Sequence, residues 1–330
     1  MTIESFSQHV DSRRGKAFGW PAELTYQATE GPEVIDVTVS FSESVNDSAW
    51  RRIDPWGFAF VREVEKISKK PIRLIFSVQT SIQIDKCQYE ALKRRVSYLA
   101  ATNGMQVSLL KQGFVDRLYS MPELACRPDT EVIRGDYSER GDDDTAGRLE
   151  KDFQAYLFGK GLHGDTDPES PRTNERLALF GRDFVGLGKV KSGEKQKGYE
   201  VQREFPTGVF DKQVKEANRI LSTEFVDLVT LNKHRQLAVI EIKFDDSKLE
   251  VISQVLNYAL YFYSYRAKLT PLLNAKLGCD TASLDLVTYL VSNAFHKKFN
   301  DVWPFYTRGS LAIRQVTMGY MPNPYFDHPQ

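Results

Sequence analysis

The chain has 330 residues, with 44 Lys and Arg against 44 Asp and Glu, 41% apolar and 27% charged. That length is more than one compact core needs, and the composition excludes a largely disordered chain. No apolar run approaches the roughly 18 residues of a membrane span, and zero net charge excludes a bulk nucleic-acid coat while leaving room for a local basic groove.

Met1 to Ser7 has no basic stretch followed by an apolar one, so no secretory signal is expected. Cys87, Cys126 and Cys279 are odd in number and far apart, which gives no disulfide framework and no CxxC knuckle. They read as small buried hydrophobes. His9, His163, His234, His296 and His328 are scattered, with no HxH or HExxH pair, so a histidine-rich zinc site is not expected. A reducing, cytoplasmic setting fits these features.

In chain order, Glu33 to Phe41 alternates apolar and polar residues from Ile35, which predicts a half-buried strand. Pro71 to Val78 predicts a second strand. Cys87 to Ala101 predicts a helix with Leu92, Val96 and Leu99 on one face. Arg94 and Arg95 on that helix read as a solvated face rather than a phosphate contact. Residues 127–147 turn polar and glycine-punctuated, and predict a linker between an N-terminal α+β domain (1–126) and a second domain (148–330). The N-terminal domain is expected to select the target or bind a protein partner or a second copy.

Beyond the linker, Arg148 to Phe158 predicts an amphipathic helix and Thr173 to Phe180 a short one stopped by Gly181. The loop from Gly186 to Gly198 holds Lys189, Lys191, Lys195 and Lys197. It is the most basic stretch, and it reads first as a solvated loop and second as a phosphate-backbone contact. Alternation at Tyr199, Val201, Arg203 and Phe205 predicts a strand. Glu224 to Leu231 and Gln236 to Lys243 predict a hairpin about Asn232 to Arg235. The insertion from Thr207 to Thr223 leaves the strand pairing open. Ser247 to Glu250 fits a capping box opening a mostly apolar, buried helix to about Tyr265. Leu284 to Val291 predicts a buried strand, and residues 310–321 an edge strand. The fold class expected is mixed α/β.

The chemistry concentrates on two strands. Residues two apart share a sheet face, so Glu241 and Lys243 point the same way and Ile242 the other. Asp227 lies among large apolar neighbours, where an unpaired acid is costly. Antiparallel pairing brings Asp227 and Glu241 together on one face. Two carboxylates and a strand carbonyl are hard oxygen ligands, suited to Mg²⁺ or Mn²⁺ rather than zinc. Lys243 can then orient or deprotonate an attacking water, or neutralise transition-state charge. The pattern reads as metal-assisted phosphodiester hydrolysis. The rival reading is a strand end whose charges are merely solvated or paired.

Asp227 followed by an apolar strand ending Glu241-Ile242-Lys243 resembles the PD-(D/E)XK nuclease superfamily, whose fold is restriction-endonuclease-like. The order helix, three strands, helix, strand over residues 148–291 is similar to that family's αβββαβ core. Gln254 and Tyr258, four apart on one helix face, match the Gln-x-x-x-Tyr motif of its RecB-like branch. Val226 stands where the family name has proline. The resemblance implies a divalent-metal-dependent nuclease, acting on DNA rather than RNA. Asp227, Glu241 and the Ile242 carbonyl would be the metal ligands. Lys243 would serve the water, and Gln254 and Tyr258 would position substrate or lysine. Glu150 would be the acid of the first helix, with Glu175 its rival. A non-catalytic nucleic-acid- or protein-binding domain on the same fold is the alternative.

Overall fold

Alternating burial builds the first sheet. The computed structural model describes residues 2–12, 19–42, 49–79, 82, 86–111, 114–115, 150–151, 154, 201–208, 220–221, 225–232, 234–243, 248–279, 285–292 and 294–317. Strand β1 (Leu24–Glu30) runs antiparallel to β2 (Ile35–Phe41), where Ile35, Val37, Val39 and Phe41 are buried and the residues between them are half-exposed. Helix α1 (Ile3–Asp11) packs on β1, its N-terminus capped by the Thr2 hydroxyl, which accepts from the Ser5 N–H at 3.1 Å. The chain passes through α2 (Ala49–Ile67) to β3 (Ile72–Val78), then through α3 (Lys86–Thr102) to β4 (Gln106–Lys111). β2, β3 and β4 pair in parallel, and β5 (Phe114–Val115) closes the edge.

The strands expected at 33–41 and 71–78 and the helix expected at 87–101 are all present, as β2, β3 and α3. Helix α2 was not among the expected elements, although Ile53, Trp56, Phe60, Val64 and Ile67 recur at helical spacing; residues 53 to 61 are buried without a break. Pro55 lies inside it and removes an N–H from the ladder. Gly57 lets α2 approach β3: a Cβ there would stand 2.7 Å from Cε1 of Phe76.

The second sheet has the order β10-β9-β8-β7-β6. Strands β6 (Gln202–Pro206), β7 (Phe225–Leu231) and β8 (Leu237–Lys243) pair antiparallel in turn, which settles the pairing the long insertion left open. The insertion closes on itself, with the Ile220 N–H donating to the Thr207 carbonyl at 3.3 Å. Helix α4 (Val251–Leu277) crosses over to β9 (Leu286–Ser292), parallel to β8. Helix α5 (Phe299–Tyr306) leads to β10 (Ala312–Thr317), parallel to β9. The molecule is therefore mixed α/β with two mixed sheets. Among the described residues no helix is long and apolar enough to cross a membrane.

Three expectations about helices need correction. The helix expected to open at Ser247 starts instead at Val251, with Glu250 as its N-cap and no side-chain cap bond from that residue; Ser247 itself lies outside the described residues. The Glu250 carboxylate accepts instead from Arg52 Nε at 3.0 Å. Helix α4 also runs past Tyr265 to Leu277 and stops at Gly278, whose φ of 61° is the left-handed conformation glycine tolerates. Arg95 is not on a solvated face. It is 1% exposed, donates to Asp54 from Nε and Nη2, and donates to Asn257 Oδ1 at 2.9 Å. Its neighbour Arg94 donates to the Ile220 carbonyl.

Helices α2 and α3 pack on the first sheet and also on α4, which packs on β7, β8 and β9 of the second. The helices thus lie between the two sheets, and one apolar cluster takes in β1–β4, α2–α5, β9 and β10. Elements on both sides of residues 127–147 share that cluster; the expected linker itself lies outside the described residues, as does Cys126. Cys87 and Cys279 are half-buried, more exposed than the sequence suggested.

His296, before α5, sets its ring 5.2 Å from that of Trp56, and its Nδ1 accepts from the Lys298 N–H at 3.2 Å. Burial, with Lys297 and Lys298 adding to it, lowers its pKa to about 4. A histidine at about 4 when folded and about 6.5 when unfolded gives the unfolded chain the extra proton between those values. Stability is therefore complete above about pH 6.5 and declines as pH falls toward 4. His296→Gln, which keeps an acceptor, should flatten the fall in Tm between pH 7 and pH 5. An unchanged slope would place the pH dependence elsewhere.

Candidate metal and phosphodiester site

Strands β7 and β8 set the two acids side by side. Their register pairs Leu228 with Ile240, and the next step along both strands brings Asp227 opposite Glu241. Val229, Leu231, Leu237 and Val239, of the same alternation, pack in one cluster with Tyr258, Tyr261 and Phe262 of α4. Asp227, Glu241 and Lys243 therefore share the sheet face that α4 covers. Ile242 points the other way and is fully buried.

The bonds are dense. Glu241, 1% exposed, accepts at Oε1 from Lys243 Nζ at 2.8 Å and from Gln254 Nε2 at 2.6 Å. Its Oε2 is buried with no hydrogen-bond partner among the described residues. Lys243 Nζ also reaches Glu150 Oε1 at 3.1 Å. Asp227 Oδ2 accepts the Ile242 N–H at 2.7 Å, and Asp227 Oδ1 accepts from Gln154 Nε2 at 3.2 Å. Gln154 Oε1 in turn accepts from Arg203 Nε at 2.9 Å. Gln254 Nε2 also donates to the Tyr258 hydroxyl at 3.1 Å, and that hydroxyl donates to the Phe225 carbonyl at 3.0 Å.

The electrostatics follow. Burial first, and then the charge of Glu241, push the Asp227 carboxyl well above the usual carboxylate range, with Lys243 opposing. Burial likewise raises Glu241, with Lys243 opposing. For Lys243 burial pulls downward, but Glu241, Asp227 and Glu150 outweigh it and hold its ammonium well above the ordinary lysine range. The lysine is thus a fixed cation among three acids.

All six side chains expected to act, Glu150, Asp227, Glu241, Lys243, Gln254 and Tyr258, come together. Tyr258 is fully buried. Glu175 and the lysines 189, 191, 195 and 197 lie outside the described residues. Gln154 and Arg203 were not anticipated. Gln154 stands four residues after Glu150 on a helical segment, so the i, i+4 rule could have found it. Among the described residues no group of three His, Cys, Asp or Glu side chains is gathered as a metal cage. The donors present are hard oxygens, and the orphaned Glu241 Oε2 is an acceptor still to be satisfied. No protein-family model, no curated protein and no solved structure matches this chain.

Proposed function

We propose that this chain is a divalent-metal-dependent nuclease of the PD-(D/E)XK type, on a restriction-endonuclease-like core, acting on DNA in a cytoplasmic setting. The observation that carries the reading is Glu241: a fully buried carboxylate with one oxygen that has no partner among the described residues, facing Asp227 across the strand pair and Lys243 along its own. The order of a helical segment at Glu150 and Gln154, three antiparallel strands, α4 and a parallel strand supports it. Asp227, Glu241 and the Ile242 carbonyl would hold Mg²⁺ or Mn²⁺. Bound there, the ion would lower the pKa of its water and draw charge from a phosphate oxygen.

The chain's own residues do the rest. Lys243, kept protonated by its three acids, offers positive charge to a phosphate oxygen as negative charge builds there. Glu150 anchors the lysine, and Gln154 holds the Asp227 carboxylate in place. Gln254 orients Glu241, while Tyr258 ties α4 to the start of β7. One observation favours the rival reading, a non-catalytic binding domain: Lys243 already closes an ion cluster with Glu241 and Glu150.

Two measurements separate them. The wild-type chain should cleave DNA with Mg²⁺ or Mn²⁺, assayed on linear, circular and single-stranded substrates. Its Tm should also rise on adding either ion, since whatever binds only the folded state stabilises it. Asp227→Asn should lose both effects. A wild-type chain with neither would overturn the nuclease reading.

A further inference from the structure

We infer that Arg51, on α2 of the N-terminal half, is a positioning residue for this site and acts through Gln254; the inference rests on the reading just given. One stripe of α4 is held from across the helix layer. Glu250 accepts from Arg52 Nε at 3.0 Å, and Ser253 Oγ donates to Asp54 at 2.8 Å. Asn257 accepts from Arg95 at 2.9 Å, and Gln254 Oε1 accepts from Arg51 Nη1 at 3.5 Å. Positions 250, 253, 254 and 257 are neighbours on one helix face. Of these four, Gln254 is the one whose other end bonds a site carboxylate.

The chain of bonds has a direction. A guanidinium only donates and a carboxylate only accepts. Gln254 between them can satisfy both in one orientation, with Oε1 toward Arg51 and Nε2 toward Glu241. Turned over, it would set its oxygen against the Glu241 carboxylate and its NH₂ against a cation. The Tyr258 hydroxyl gives its proton to the Phe225 carbonyl, so it too needs the NH₂ side. Arg51 therefore reinforces the amide orientation that Glu241 and Tyr258 also require, the one that holds Glu241 Oε1 and leaves Oε2 unclaimed among the described residues. Arg51 Nε is buried and has no hydrogen-bond partner among the described residues.

The test is a double-mutant cycle in the full-length chain on Arg51→Ala, Gln254→Ala and both together, with Arg51→Lys as the conservative variant. Mn²⁺ affinity by calorimetry and kcat and KM for DNA cleavage are the readouts. Losing a group that orients a metal ligand costs about 10–100-fold in affinity or activity. Arg51→Ala should weaken Mn²⁺ binding about tenfold and lower kcat with KM little changed. Arg51→Lys should recover part of both. In the Gln254→Ala background the Arg51 change should add less than about twofold. Wild-type affinity and rate in Arg51→Ala, or full additivity in the double variant, overturns the inference. Should the wild-type chain neither bind Mn²⁺ nor cleave, the nuclease reading fails separately. The cycle is then read from Tm, where a double variant melting with Gln254→Ala keeps the coupling and an additive drop removes it.

Discussion

Lys243→Ala is expected to lower DNA cleavage by about 10²–10³-fold, the loss found on removing one donor aimed at developing charge. The geometry also predicts a stability effect. Glu241 is 1% exposed and bonded to Lys243 at 2.8 Å, and Glu150 reaches the same ammonium. Without the cation, three acids face one another at a buried site. The sign with pH can be worked out. Burial already raises both Asp227 and Glu241, with the Glu241 charge adding at Asp227 and the Glu150 charge adding at Glu241. An acid whose folded pKa is raised contributes stability that is complete below its ordinary value and is lost as pH rises through the raised one. Removing the lysine strengthens that trend, so the variant should lose more Tm at pH 8 than at pH 5. Lys243→Met, which keeps the apolar stem, separates packing from charge. Rates and melting curves taken on the same samples decide the matter. Wild-type turnover in a folded Lys243→Ala protein would make the lysine structural and sink the proposed chemistry.

The site was legible because its key residues are local. Glu241-x-Lys243 follows from the period of one strand, Gln254 and Tyr258 from one helix turn, and Asp227 from an acid in an apolar run. Arg51 could not be read: it reaches Gln254 across 203 positions of sequence, and its neighbourhood Trp50-Arg51-Arg52 has no pattern of its own. The same contrast holds for the fold. Strands β2, β3, β7, β8 and β9 announce themselves by alternation or by apolar runs. Helix α2 carries the apolar series Ile53, Trp56, Phe60 and Val64 opposite a charged face, but Pro55 and Gly57 fall inside it and mask the helix. The end of α4 was misjudged because Arg266, Lys268 and Thr270-Pro271 look like an exit. The apolar i, i+4 series Leu269, Leu273 and Leu277, buried throughout, carries the helix on to the glycine that stops it.

Asp54→Ala is expected to cost about 3–5 kcal/mol, the penalty for removing one partner of a buried ion pair. Asp54 is fully buried and accepts from Arg95, from Ser253 Oγ at 2.8 Å and from the Tyr306 hydroxyl at 2.6 Å. It thereby ties α2, α3, α4 and α5 at one point. Burial and the Asp54 charge push the Tyr306 hydroxyl well above the usual phenol range, so it stays a donor. After truncation Arg95 keeps the Trp50 carbonyl and Asn257 Oδ1 but has no counter-charge inside the apolar layer. At a few degrees of Tm per kcal/mol for a chain of this size, the drop should be on the order of 10 °C. The penalty lies in the stranded charge rather than in the lost bond. Removing both partners, as Asp54→Leu with Arg95→Met, should therefore melt above Asp54→Ala, while Ser253 and Tyr306, deprived of their acceptor, keep it below wild type. Urea unfolding of the three proteins tests that order. A single variant within about 1 kcal/mol of wild type would show that water reaches the hub, and that the helix layer is held by its apolar contacts alone.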